Sequence, residues 1–188
     1  MNRDVEKFPQ RRTEELHVGR LSLPGARYFL TFVTREREPW LLSSQAADAV
    51  LRALRRWHEE KDGAIIAATV MPDHVHVILE LGSRLSAGQC VGRWKSEIRR
   101  AIDYRHDWLR DFYEHRLRAN ESVEDYALYV FLNPYRAHLT DADKSWPWWW
   151  APNPGLFRFS ELLNGDGTPP REWVDWPDDK FAHLSAGE

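Results

Sequence analysis

Residues 64–80 read Ala64-Ile65-Ile66-Ala67-Ala68-Thr69-Val70-Met71-Pro72-Asp73-His74-Val75-His76-Val77-Ile78-Leu79-Glu80, two apolar runs separated by a Met-Pro-Asp corner. Each run has strand length, and their closeness in sequence predicts two paired strands. Along an extended strand side chains alternate between faces. His74 and His76 therefore project to one side, and Val75 and Val77 to the other.

Working outward, Tyr28-Phe29-Leu30-Thr31-Phe32-Val33-Thr34 follows a Pro24-Gly25 turn and reads as a further strand, rich in aromatic and β-branched residues. Between it and the central pair, Ala46, Ala47, Val50, Leu51, Leu54 and Trp57 recur at three- and four-residue steps, with Arg52, Arg55, Arg56 and Glu59 between them. That is the period of an amphipathic helix, closed by Asp62-Gly63. On the other side Leu81-Gly82-Ser83 ends the strand, and a helix is predicted from about Ser86 to Tyr104, with Val91, Trp94, Ile98, Ala101 and Ile102 along one side. Phe112 to Arg118 reads as a short strand or turn. Asn120-Glu121-Ser122 offers N-cap chemistry to a helix whose apolar stripe is Val123, Ala127, Val130 and Phe131, and Pro134 is expected to end or kink it at Asn133. This order of elements supports an α+β domain.

The chain has 188 residues, 43% hydrophobic and 29% charged, which suits one folded domain with an appendage. Its longest apolar stretch, Ala64 to Met71, is far too short for a bilayer, so no membrane partner is expected. The opening MNRDVEKFPQRRTEE carries charge at once and has no apolar run of the secretory kind, and Cys90 is the single cysteine; both fit a cytoplasmic location. The net charge of -3 argues mildly against a nucleic-acid partner, but it is unevenly spread. Residues 161–188 hold seven acids against Arg171 and Lys180, leaving -5 in the tail and +2 in the rest. Three regions are expected: a polar arm over 1–20, a main domain over 21–145, and a Trp- and Pro-rich, acidic extension over 146–188 that wraps on the main domain.

Two features carry chemistry. Histidines two apart on a strand suit a single divalent ion with positions left open, though a His-x-His pair also occurs as half-buried histidines bonded to backbone. Tyr126, Tyr129 and Asn133 share one side of the last helix, because residues three and four apart stack, and that side lies away from the Val123/Ala127/Val130 stripe. Such a face could present a phenolic nucleophile and an amide together; plain packing at a core edge is the alternative.

Taken together, Tyr28 to Phe32, Met71 to Glu80, Trp94-Lys95-Ser96, Phe112 to Arg118 and Tyr129-Val130-Phe131-Leu132-Asn133-Pro134 resemble, in order and spacing, the REP-associated tyrosine transposases and the related single-tyrosine HUH transposases of bacterial insertion sequences. The resemblance spans about three quarters of the chain. It implies a ferredoxin-like or RRM-like antiparallel sheet with helices packed on it. It also implies a divalent metal, Mg2+ or Mn2+, held by His74, His76 and Asn133, with Tyr129 as nucleophile and Tyr126 as the fallback.

The implied reaction is cleavage and rejoining of single-stranded DNA, often beside an imperfect hairpin, through a 5'-phosphotyrosine link, in a bacterial cytoplasm beside the nucleoid. REP-associated relatives suggest a monomer and insertion-sequence relatives a dimer. Lys95, Arg99, Arg100, Arg116 and Arg118 are candidate phosphate contacts, with Arg11 and Arg12 as an arm at the hairpin foot; a solvated helix face is the plainer account of Arg99 and Arg100. Trp148 to Trp150 could stack on bases or simply pack. The acidic tail, if it folds near the basic face, would act as a cover. Two alternatives from other classes are a hairpin-binding module that does not cut, and a metal hydrolase using activated water.

Overall fold

A computed structural model describes residues 22–102 and 105–184. Strand β1 (Arg27–Thr34), helix α1 (Ser44–Glu59), strands β2 (Gly63–Val70) and β3 (His74–Leu81), helix α2 (Ala87–Ala101) and strand β4 (Trp108–Arg116) follow one another in a βαββαβ order. Helix α3 (Val123–Arg136), the two-residue strand β5 (Trp149–Trp150) and the short helix α4 (Arg171–Val174) complete the set. The sheet runs β4-β1-β3-β2-β5 with every pairing antiparallel. The expected α+β architecture is thus present, with the ferredoxin-like order in its first four strands.

Alternation along the strands divides the core in two. Tyr28, Leu30, Phe32, Val75, Val77 and Leu79 face α1 and α2, where Trp57 and Trp94 meet edge to face at 5.5 Å. Phe29, Ala67 and Ile78 face the other way, against α3 and the C-terminal extension. Helix α2 starts on a capping box, in which Ser86 Oγ accepts from the Gln89 N–H and Gln89 Oε1 accepts from the Ser86 N–H. Helix α3 starts on Ser122, whose Oγ accepts from the Asp125 N–H, and Glu124 and Asp125 place negative charge at its positive end. No described helix is long and apolar enough to cross a membrane.

Three local readings change. Pro134 does not stop α3, which runs on to Arg136: so close to the end, the missing N–H removes only one bond. The strand expected near Phe112 starts earlier, at Trp108, because β1 supplies ladder partners from Thr34 to Tyr28. Most importantly, the tyrosine side of α3 is not held off the apolar core. Tyr126, Tyr129, Val130, Phe131 and Leu132 are all buried, since the helix lies between the sheet and the extension and has no wet side along its middle.

The extension is part of this second core. Strand β5 pairs with Ala68 and Thr69 of β2, Trp146 Nε1 donates to the Val70 carbonyl at 3.1 Å, and Phe157, Phe159, Trp173 and Phe181 pack with α3. Its tryptophans therefore pack rather than stand free for bases: Trp149 meets Phe131 edge to face at 5.3 Å and Trp148 meets Trp146 at 5.0 Å.

Candidate functional site

Register brings the polar groups of three elements together on the α3 face of the sheet. Thr31 of β1 and Thr69 of β2 both lie opposite His76 of β3. The side chains of His74 and His76 share that face, as alternation requires, and their Nε2 atoms stand 3.1 Å apart. On the far side of each ring the other nitrogen is engaged: His74 Nδ1 lies 2.6 Å from Asp73 Oδ1, and His76 Nδ1 lies 2.9 Å from Thr31 Oγ1. From α3, Asn133 Nδ2 reaches within 3.2 Å of His76 Nε2.

Charge states follow from the surroundings. Burial pushes the Asp73 carboxyl up, but the bonds from His74 and Arg37 outweigh it and leave the group below its usual range, a carboxylate that only accepts. His74 Nδ1 therefore carries the proton it donates to that carboxylate. Complete burial, then the neighbouring His74 and Arg37, hold the His76 pKa well below the ordinary histidine value, so this ring is neutral. When its single proton lies on Nδ1, toward Thr31, its Nε2 lone pair faces His74 Nε2 at 3.1 Å, open to a proton or a cation between the two rings. Among the described residues no three His, Cys, Asp or Glu side chains converge for a metal; the Asn133 amide stands beside the pair as a further polar group.

The two tyrosines differ in what they meet. Tyr129 lies edge to face with His76 at 5.8 Å and with Phe29 at 6.3 Å. Tyr126 stacks instead on His115, also at 5.8 Å, and its hydroxyl donates to Glu121 Oε1 at 3.2 Å; the same carboxylate takes His115 Nε2 at 2.8 Å and the Arg118 N–H at 2.6 Å. Tyr126 is thus fully buried in a network with His115 of β4 and Glu121 of the following loop, while Tyr129 is the tyrosine beside the histidine pair. Tyr129 is covered in turn by Phe181 of the extension, at 5.6 Å, leaving it 7% exposed.

The predicted basic contacts are scattered. Lys95, Arg99 and Arg100 ride on α2, in the layer on the opposite face of the sheet from the histidines. Lys95 Nζ donates to the carbonyls of Leu109 at 2.7 Å and Asp111 at 3.1 Å, Arg99 meets Asp107 at 3.4 Å, and Arg100 donates to the Ser96 carbonyl at 3.2 Å. Arg116 and Arg118 are exposed at the end of β4, and Arg11 and Arg12 lie outside the described residues.

Burial pulls the Lys95 ammonium down to about 8, against the upward pull of Asp111 and Asp107. The folded protein therefore loses this proton before the unfolded chain does, whose lysine titrates near 10.5. Because the unfolded state binds more protons between those values, this residue makes stability rise with pH across the window, with its full cost present below it. Urea unfolding of Lys95→Met at pH 8 and pH 10 should show a smaller rise than the wild type; an equal rise would rule out the assignment.

Sequence reasoning missed Thr31, Asp73 and Arg37. Asp73 stood next to the histidines and carried a signal, whereas Thr31 becomes a partner of His76 only through the β1–β3 register.

Comparison with known proteins bears on the fold and the family. Against a solved REP-associated tyrosine transposase bound to a REP hairpin, the chain superposes with a TM-score of 0.65 at 24% identity, over 90% of this chain and 94% of that one. A Haemophilus influenzae protein provisionally named a REP-associated tyrosine transposase is 22% identical over 139 residues, covering 66% of this chain and 78% of its own. Residues 22–120, from just before β1 to just past β4 and including both histidines, match the family described as IS200-like transposases. The chain belongs to the IS200-like transposase family.

Proposed function

We propose that this transposase cleaves and rejoins single-stranded DNA beside a hairpin, with Tyr129 as nucleophile and a divalent ion, Mg2+ or Mn2+, held by His74, His76 and Asn133. The carrying observation is that His74 Nε2 and the Asn133 amide stand 3.1 and 3.2 Å from His76 Nε2, beside the ring of Tyr129. The donor set suits such an ion. Two neighbouring ligand atoms of a six-coordinate ion with bonds of about 2.1 Å stand about 3.0 Å apart, which is close to the 3.1 Å between the imidazole nitrogens. The Asn133 amide, turned by half a rotation without change of shape, offers an oxygen in place of its nitrogen. An ion bound there draws negative charge from the phosphate oxygens and makes the phosphorus more electrophilic.

Each residue then has a task. Asp73 and Thr31 hold the outer nitrogens of the histidines and aim the inner ones. The Tyr129 hydroxyl, a poor nucleophile while protonated, gives up its proton and attacks phosphorus. One P–O bond forms to the tyrosine and the P–O bond to the 3'-oxygen breaks; that oxygen takes a proton and leaves as a 3'-hydroxyl. The 5'-phosphotyrosine keeps the bond energy, so a 3'-hydroxyl can reverse the step and join strands without ATP. The partner class, hairpin-bearing DNA, is supported by the hairpin held in the solved relative, and Arg116 and Arg118 at the exposed end of β4 are the phosphate contacts this reading retains. The main domain is assigned to 21–145, with 146–188 as a covering extension.

A second reading, a hairpin-binding module that does not cut, is favoured by the covering of Tyr129 by Phe181. The two part on one experiment. Labelled single-stranded hairpin DNA from beside the gene is incubated with the protein and Mn2+, and any adduct is digested and mapped by mass spectrometry. We expect a phosphotyrosine at residue 129 that is absent in EDTA. Cleavage without adduct would point to activated water, and tight binding without cleavage to the binding module.

A further inference from the structure

Asp73 sits at the corner between β2 and β3, and its two carboxylate oxygens serve different partners: Oδ1 lies 2.6 Å from His74 Nδ1, and Oδ2 accepts from Arg37 Nη1 at 3.2 Å. Its main chain is fixed independently, since the Asp73 carbonyl accepts from the Thr34 N–H at 2.8 Å and from Thr34 Oγ1 at 3.0 Å. Arg37 reaches it from an unusual turn. Glu36 and Arg37 are consecutive non-glycine residues with φ of 55° and 57°, the left-handed region that L side chains disfavour. Strain of this kind persists where the surroundings over-determine it, and it gathers at functional sites. Here it delivers a guanidinium to the carboxylate that stands behind His74.

We propose that Arg37 and Asp73 form a positioning pair that keeps His74 protonated on Nδ1, with its Nε2 lone pair toward His76, and thereby sets the affinity of the histidine pair for a divalent ion. The proposal rests on the metal-binding reading above. Its chemistry is one of matching donors to acceptors. A carboxylate accepts on both sides, so it can serve the Arg37 guanidinium and the His74 N–H at once. An asparagine cannot. If its oxygen stays on Arg37, its NH2 faces His74 Nδ1 and demands a lone pair there, moving the ring proton to Nε2 where the ion would bind. Partners behind metal-bound histidines commonly change metal affinity by about 10 to 100-fold.

Removing Arg37 frees the asparagine to turn its oxygen to His74, which gives the test a rescue arm. Mn2+ affinity is measured by isothermal titration calorimetry for wild type, Asp73→Asn, Arg37→Met and the double variant. The His74 tautomer is read from 15N imidazole shifts in the metal-free proteins. We expect Asp73→Asn to lose at least about tenfold in affinity and to shift His74 toward the Nε2–H form, and the double variant to regain part of both. A merely structural role for Asp73 predicts no regain. Wild-type affinity in Asp73→Asn, or an unchanged tautomer, would overturn the proposal. If the wild type itself binds no Mn2+ at these histidines, the metal reading fails, and the shifts of the metal-free proteins still decide whether the pair governs the tautomer.

Discussion

Replacing Tyr129 by phenylalanine is expected to abolish the protein–DNA adduct and to lower strand cleavage at least about a thousand-fold, the scale on which enzymes lose activity with their nucleophile. The substitution removes one oxygen and keeps the ring, so the contacts with His76, Phe29 and Phe181 survive. Stability should change by no more than about 1.5 kcal/mol, the net worth of a hydrogen bond. Tyr126→Phe is the matched control. It loses the bond to Glu121 on the His115 side of the helix, and cleavage should stay within about tenfold of wild type. Single-turnover cleavage on denaturing gels reads both. An adduct in Tyr129→Phe that disappears in Tyr126→Phe would move the nucleophile one turn back along α3.

The second large effect is expected at the cover. Phe181→Ala should raise the single-turnover rate at least about tenfold, because losing a buried phenylalanine removes about 3 to 5 kcal/mol from the contacts that keep it closed, and a rate limited by a minor open form rises with its population. The contacts at stake are the Phe181–Tyr129 edge at 5.6 Å, the Arg136 guanidinium 5.1 Å over Phe181, and the bond from Arg136 to the Trp176 carbonyl at 2.7 Å. The described part of the extension thus packs against the tyrosine, whereas the charge pattern raised a cover only on the condition that the tail folds near the basic face. Deleting residues 161–188 outright is a poor test, since it also strips Trp173 and the buried Thr168 from the fold. A point change with an unaltered far-UV spectrum is the cleaner one, and a fall in rate would make Phe181 a wall of the site instead.

Much of this molecule follows from local pattern. The alternation in 74–80 is enough to put two imidazoles on one face, because strand geometry leaves no other choice, and they meet at 3.1 Å. The three- and four-residue recurrence from Ala46 to Trp57 is likewise enough for α1, whose buried residues are those apolar positions together with Ala49 and Ala53. Pattern failed where a residue has two neighbours in space and one in sequence. Helix α3 reads as amphipathic with a polar tyrosine side, yet it is covered on both sides, because the extension brings Phe159, Trp173 and Phe181 onto it from 23 to 45 positions beyond its end at Arg136. Lys95 reads as a candidate phosphate contact, and in the fold its ammonium binds strand carbonyls 14 and 16 residues away.

By itself, then, the sequence determined the elements, the α+β class, the facing of His74 with His76 and the stacking of Tyr126, Tyr129 and Asn133, since these depend on the 2.0 and 3.6 periods of a single backbone. Tertiary structure alone decided which tyrosine stands at the histidines, that Thr31, Asp73 and Arg37 support them, and that Phe181 closes over Tyr129. The physical reason is that strand register and helix docking are set by the packing of the whole core, and no window of sequence contains it.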